Sequence, residues 1–150
     1  MTARPPGAQS IDEILSFARA RLVRVGPQTA FDESGDGATL VDIRSAAQRA
    51  ANGEIPGSLV VERNHLEWRF DPASEARLPW VTGYDPRLIV FCAEGYTSSL
   101  AAAALHALGL AHATDVIGGY AAWVAAGLPT APAAERTVTL APGAAPAWTP

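Results

Sequence analysis

The fold class that the sequence predicts is α/β, a single domain built on a mostly parallel sheet. Two observations carry this. Short apolar runs alternate with helical stretches along the whole chain: Thr39–Arg44, Leu59–Val61, Leu88–Phe91 and Thr114–Ile117 each lead towards a helical segment. The residues with chemistry also follow the runs: Arg44 the first, Cys92 the third and Gly118-Gly119 the last. In an open parallel sheet these strand ends share one edge, where ligands bind. The 150 residues, 49% hydrophobic and 17% charged, suit one domain with a proper core.

The elements follow in order. Residues 1–9 carry Pro5, Pro6 and Gly7 and read as a loose leader. Ser10 with Asp12 and Glu13 forms a helix start, and Ile11, Ile14, Leu15, Ala18 and Leu22 recur at helical spacing. The segment 1–26 is thus a leader and a helix, with Leu22–Val25 as an edge strand, the fifth of the sheet. Gly26-Pro27 opens a short helical turn to Phe31, and Asp32–Gly37 is a polar loop. After the strand Thr39–Arg44, Ser45 caps a helix over Ala46–Ala51 that Asn52-Gly53 ends. Asn64–Phe70 is one or two helical turns, halted by Asp71-Pro72. Residues 71–86 form a connection held to the core by Trp80 and Tyr84. Ser98 and Ser99 open an alanine-rich helix through Leu108, capped by Gly109, and a last helix spans Tyr120–Ala126. The Ala/Pro-rich segment 131–150 reads as a tail, with Val138 and Leu140 packing locally.

Composition excludes several classes of function. The net charge of −4 argues against general nucleic-acid affinity. All 11 basic residues are arginines, so no mechanism needing a lysine nucleophile or a P-loop lysine applies. One cysteine makes neither an internal disulfide nor a cysteine-rich zinc site, and His65, His106 and His112 lack ligand partners at metal-binding spacing. No apolar stretch is long enough to span a membrane, and Met1–Gln9 has no apolar core of signal-peptide type. A cytoplasmic, reducing location is the expectation.

Cys92 stands between a buried strand and a helix start, where orphan backbone N–H groups surround it. Such a setting favours an anion, so the cysteine is expected to be more thiolate than an ordinary one. A helix terminus contributes only about 0.3–1 kcal/mol, so direct donation from the loop amides must supply the larger part. The competing reading is a small buried hydrophobe.

Taken together, Leu40-Val41-Asp42-Ile43-Arg44-Ser45, Gly53-Glu54-Ile55-Pro56-Gly57-Ser58, the Cys92 loop, and Gly118-Gly119-Tyr120-Ala121-Ala122-Trp123 before Gly127-Leu128-Pro129 resemble the rhodanese, or sulfurtransferase, family. The resemblance covers roughly residues 27–130 and implies a three-layer fold, a mostly parallel five-stranded sheet with helices on both faces. It also implies that Cys92 takes up a sulfane sulfur as a persulfide and passes it to a thiophilic acceptor. The amides of Ala93, Glu94, Gly95, Tyr96, Thr97 and Ser98 would hold the charged sulfur, and the Thr97 hydroxyl could donate to the outer one. Ser98 and Ser99 have a second reading as helix caps. Asp42 and Arg44 match the family's Asp-x-Arg, Arg44 either attracting an anionic donor or forming an internal ion pair. Glu54 and Gln48 depart from the family's frequent histidine and acidic residue, in structural turns. Asp42, Gly118 and Gly119 are read as structural residues beside the site.

Members that use thiosulfate well tend to carry basic residues just after the cysteine, where this chain has Ala93 and Glu94. A carboxylate there repels a dianion by about 1 kcal/mol or more at an effective dielectric near 20. Arg44 and Arg69 offset this only if they face the pocket, and Trp68 with Arg69 either walls that pocket or covers the sheet. The expected partners are a small-molecule sulfur donor, with thiosulfate weak and a low-molecular-weight or protein persulfide favoured, and a thiol or cyanide acceptor. No metal or organic cofactor, nucleic acid or membrane is implied. Dual-specificity phosphatases share the fold family but grip phosphate with Cys-x5-Arg; here Ser98 holds the arginine position. The alternative to an enzyme is a non-catalytic rhodanese-like module that binds a partner.

Overall fold

The computed structural model describes residues 2–135. The reading of Val138 and Leu140, and of most of the 131–150 tail, lies outside the described residues. Among these residues four strands, β1 (Thr39–Asp42), β2 (Leu59–Val60), β3 (Leu88–Phe91) and β4 (Thr114–Asp115), form one parallel sheet in the order β2-β1-β3-β4. The fifth strand expected over Leu22–Val25 is reduced to a single parallel bridge between Val25 and Val116, beside β4. Its backbone makes just two sheet bonds: the Val25 amide donates to the Asp115 carbonyl, and the Ile117 amide donates to the Val25 carbonyl. The segment is short because its neighbours face elsewhere: Val23 is exposed and the Arg24 side chain turns to Asp115.

Among the described residues six helices flank the sheet: α1 (Ile11–Ala20), α2 (Pro27–Gly35), α3 (Ala46–Asn52), α4 (Leu66–Phe70), α5 (Thr97–Ala107) and α6 (Gly119–Ala125). Ser10 caps α1 by accepting the Glu13 amide, and Ser45 and Gln48 form a reciprocal capping box on α3. Proline at the first position of α2 suits a helix start, and the helix runs on to Gly35, past the turn expected to stop at Phe31. The first helical turns after β2 are a 3-10 turn, Arg63–His65, that leads into α4.

Strand alternation sorts the core into two halves. On β3, Leu88 and Val90 face one side, with Val41, Leu66, Phe70, Ala101 and Leu105. Ile89 and Phe91 face the other, with Leu40, Val25, Ala30, Tyr120 and Trp123. Continued past β3, the same period puts Cys92 in the half formed with α4 and α5. It puts Arg44 beside Asp42, on the side of α6. Trp80, half exposed, meets Phe70 edge-on with ring centroids 6.0 Å apart, which ties the 71–86 connection to the core as expected. No helix among the described residues is long and apolar enough to cross a membrane.

Phe70 is fully buried in the α4–α5 half of the core, far along the chain from the Cys92 loop. Phe70→Ala is expected to lower unfolding free energy by about 3–5 kcal/mol, read from urea denaturation midpoints. A loss below about 1 kcal/mol would show that this half of the core repacks freely.

Candidate functional site

The C-terminal ends of β1, β3 and β4 meet at one edge of the sheet, and Cys92 follows directly on β3. Its side chain is 6% exposed and lies at the floor of a cleft of about 330 Å³. Ile43, Arg44, Gln48, Ala93, Glu94, Tyr96 and Thr97 line the rest. A second cleft of about 410 Å³ shares Arg44, Ala93 and Glu94 and continues over Asn52, Tyr120, Ala121 and Val124.

The loop turns its polar groups in a definite sense. The Gly95 amide donates to Cys92 Sγ at 3.2 Å. The Cys92 carbonyl accepts the Tyr120 amide at 2.8 Å and the Ala93 carbonyl accepts the Ala121 amide at 3.0 Å, both from the first turn of α6. The Gly95 carbonyl accepts from Arg19 Nη2 at 2.8 Å and from Arg24 Nη2 at 3.1 Å. All peptide bonds are trans among the described residues, so each pinned carbonyl sends the next N–H the opposite way. The amides of Ala93, Glu94 and Tyr96 are turned away from α6 and the arginines accordingly. Neither they nor the Thr97 and Ser98 amides donate to any protein acceptor among the described residues. Loop N–H groups left without a protein acceptor beside a sulfur that already accepts one amide suit an anion.

Glycine makes the close approach possible. Gly95 has φ +86°, and a Cβ there would lie 2.7 Å from the Gly118 nitrogen. Gly119 has φ +59°; a Cβ there would overlap the Cys92 carbonyl oxygen and stand 2.8 Å and 2.9 Å from the Gly95 and Glu94 nitrogens. The Gly118-Gly119 turn is therefore the back wall of the loop.

Several residues take places that the sequence left open. Arg44, 2% exposed, forms the internal pair: its Nε and Nη2 donate to the Asp42 carboxylate at 3.0 Å and 2.8 Å, and Nη2 donates also to the Gly53 carbonyl. Its guanidinium lies 4.0 Å from the Tyr120 ring centroid. It stands in the cleft wall, but its charge is matched by Asp42. Strand alternation is the cause, because residues two apart share a face. Arg69 does not line the cleft; Nη1 donates to the Ala76 carbonyl and braces the 71–78 segment. Trp68 is likewise absent from the lining and half exposed. Ser98 is fully buried, with Oγ donating to Asp115 Oδ2 at 2.8 Å, so its hydroxyl serves the buried carboxylate and not the cleft. Ser99 does the same at 2.8 Å. Thr97 and Glu94 are exposed at the rim, and Glu94 forms no ion pair among the described residues. Tyr96, 61% exposed, points outward beneath Arg19, 5.8 Å from its ring centroid.

Gln48 and Ile43 also line the cleft, a place not expected for either from the sequence. The capping box at Ser45 was the available signal, since it fixes Gln48 on the first turn after β1. The Arg19 and Arg24 contacts had none, lying 76 and 71 residues from Gly95. His65 is outside the cleft lining, His106 Nε2 bonds the Ala113 carbonyl, and no group of three or more potential ligands is assembled for a metal among the described residues.

Comparison with known proteins agrees with this architecture. The model of the rhodanese-like domain matches residues 27–126, two thirds of the chain. A solved protein of unknown function from Rhodopseudomonas palustris, described as a possible tyrosine phosphatase, is 29% identical with a TM-score of 0.76, over 87% of this chain and all of that one. A rhodanese-related protein from Thermoplasma volcanium is 25% identical at TM-score 0.56, over 72% of this chain and 96% of its own. A thiosulfate sulfurtransferase from Pseudomonas aeruginosa is 28% identical at TM-score 0.57, over 72% of this chain but only 19% of its own length. No curated protein matches the chain. The chain belongs to the rhodanese-like domain family.

Two glycines separate packing from backbone strain. Gly127 has φ +72° with nothing near a Cβ, whereas Gly119 also faces the Cys92 loop. Gly127→Ala is expected to cost about 1 kcal/mol. Gly119→Ala is expected to cost about 2 kcal/mol or more and to change the iodoacetamide alkylation rate of Cys92. Equal costs and an unchanged alkylation rate would deny the turn its role as the wall of the loop.

Proposed function

We propose that this rhodanese-like domain is a sulfurtransferase that carries a sulfane sulfur on Cys92. The observation that supports this most is a cysteine sulfur that accepts the Gly95 amide, in a loop whose Ala93, Glu94 and Tyr96 amides have no protein acceptor among the described residues. In the loading step the Cys92 sulfur attacks the outer sulfur of a donor R–S–S⁻. A Cys–S bond forms, the donor S–S bond breaks, and R–S⁻ leaves with the electron pair. In the second step a thiol or cyanide attacks the outer sulfur, and the electron pair of the Cys92 S–S bond returns to Cys92. The sequence is redox-neutral and needs no metal or organic cofactor. Throughout it, the outer sulfur or the thiolate carries negative charge, which the loop amides stabilise at no reorganisation cost.

The charges around the cleft favour some donors over others. Arg44 is neutralised by Asp42, Arg69 is elsewhere, and Glu94 leaves an unpaired carboxylate at the rim. A thiosulfate dianion therefore meets no free cation on entry among the described residues. A small-molecule or protein-borne persulfide, which brings one negative charge at its reacting end instead of two, is the better donor. A phosphatase reading fits the loop poorly, because phosphate needs a bidentate cation and Ser98 at that position is turned to Asp115.

Intact-protein mass spectrometry after exposure to thiosulfate, 3-mercaptopyruvate or glutathione persulfide tests the reading. The wild type should gain one sulfur atom, lost again on treatment with cyanide or a thiol, and Cys92→Ser should gain none. A folded wild type that takes sulfur from no donor would leave a binding module as the reading. Glu94→Gln should speed loading from thiosulfate about fivefold at low salt, equivalent to roughly 1 kcal/mol, with the gain shrinking as salt is added. Equal acceleration for an uncharged donor would show that Glu94 acts by shape, not charge.

A further inference from the structure

The family match begins at residue 27, but two side chains from before it reach the Cys92 loop. Arg19 lies in the last turn of α1, and Arg24 follows that helix. Arg19 donates through Nη2 to the Gly95 carbonyl at 2.8 Å and through Nε to Ser99 Oγ at 3.0 Å. Arg24 shares its Nη2 between the Gly95 carbonyl and Asp115 Oδ2, both at 3.1 Å, and gives Nε to Asp115 Oδ1 at 2.8 Å.

The peptides that follow Cys92 and Ala93 are held by α6, inside the matched domain. The peptide between Gly95 and Tyr96 is different: the donors to its carbonyl among the described residues are these two arginines. It follows a glycine at φ +86°, a residue type that gives up its conformation more readily than others. Were this peptide to turn over, the Gly95 carbonyl would point away from the arginines and the Tyr96 amide towards them.

We propose that Arg19 is a positioning residue of the Cys92 site: from outside the family domain it holds the Gly95 carbonyl outward and so keeps the Tyr96 amide directed at the sulfur, with Arg24 in support. Arg19 makes the shorter bond and has no carboxylate partner among the described residues, so its guanidinium is committed to the loop. Arg24 is committed first to Asp115, which is fully buried and also accepts from Ser98 and Ser99. The role in sulfur transfer rests on the persulfide reading above, while the effect on the thiol itself does not.

The test is Arg19→Gln beside Arg19→Lys, which keeps a cationic donor for the carbonyl and leaves Asp115 paired with Arg24. Two rates are measured: sulfur loading from glutathione persulfide and alkylation of Cys92 by iodoacetamide. Arg19→Gln should load five- to tenfold more slowly at saturating donor with KM within twofold of wild type. Its alkylation should slow in parallel, its thermal midpoint should stay within a few degrees, and Arg19→Lys should recover at least half of both rates. Wild-type rates in Arg19→Gln, or a loss that Lys does not rescue and that tracks thermal stability alone, would overturn the proposal. A wild type that accepts no sulfur but shows the alkylation pattern would overturn the persulfide reading and keep the positioning role.

Discussion

The whole edge of the sheet depends on how three backbone carbonyls around Cys92 are held. An apolar strand followed by a tight loop would ordinarily leave the loop peptides free to turn either way. Here the Cys92 and Ala93 carbonyls are tied to the first turn of α6 and the Gly95 carbonyl to two arginines. With the acceptors fixed outward, the donors are left for the sulfur. The Gly118-Gly119 turn contributes by having no side chains, since a Cβ on either would strike the loop or Ala122. The chemistry of the site is thus a consequence of packing at its back.

Two buried carboxylates support this arrangement from below. Asp42 holds Arg44 through both its oxygens and also accepts the Arg44 amide, which sets the turn after β1. Asp115 gathers Arg24, Ser98 and Ser99, which seats the start of α5 against the end of β4. Buried pairs gain little net stability once desolvation is counted, yet losing one partner is strongly destabilising. Both are better understood as fixing the geometry of the strand ends than as sources of stability. Neither leaves an unpaired cation in the cleft, and the unpaired charge at its rim among the described residues is that of Glu94.

Much of this was legible in the sequence, and the parts that were not depend on which way a side chain faces in the folded chain. The apolar runs and their alternation with helices gave the parallel sheet, and the strand before Cys92 gave the position of the thiol. Asp42 and Arg44 two apart on a strand contained the ion pair, because alternation puts both side chains on one face. Arg69 lies in a helix whose facing could not be read from one short turn, and it braces a loop instead of the cleft. The serines opening α5 looked like caps or sulfur ligands, but Asp115, distant in sequence, claims both hydroxyls. Leu22–Val25 had strand composition, but with Arg24 drawn to Asp115 a single bridge remains among the described residues, from Val25 to Val116 just past β4. What local pattern could not supply is every contact made across 70 residues or more, including those of Arg19 and Arg24 with Gly95.

The central claim is that the loop amides, and not a side-chain cation, bear the charge on the sulfur. Amide proton shifts measured by NMR before and after one sulfur is loaded onto Cys92 test it most directly. Downfield movement of the Ala93, Glu94, Gly95 and Tyr96 amides is expected, with the Tyr120 and Ala121 amides little changed because their carbonyl partners stay in place. Loading that leaves the loop amides unmoved while the Arg44 guanidinium resonances shift would contradict it.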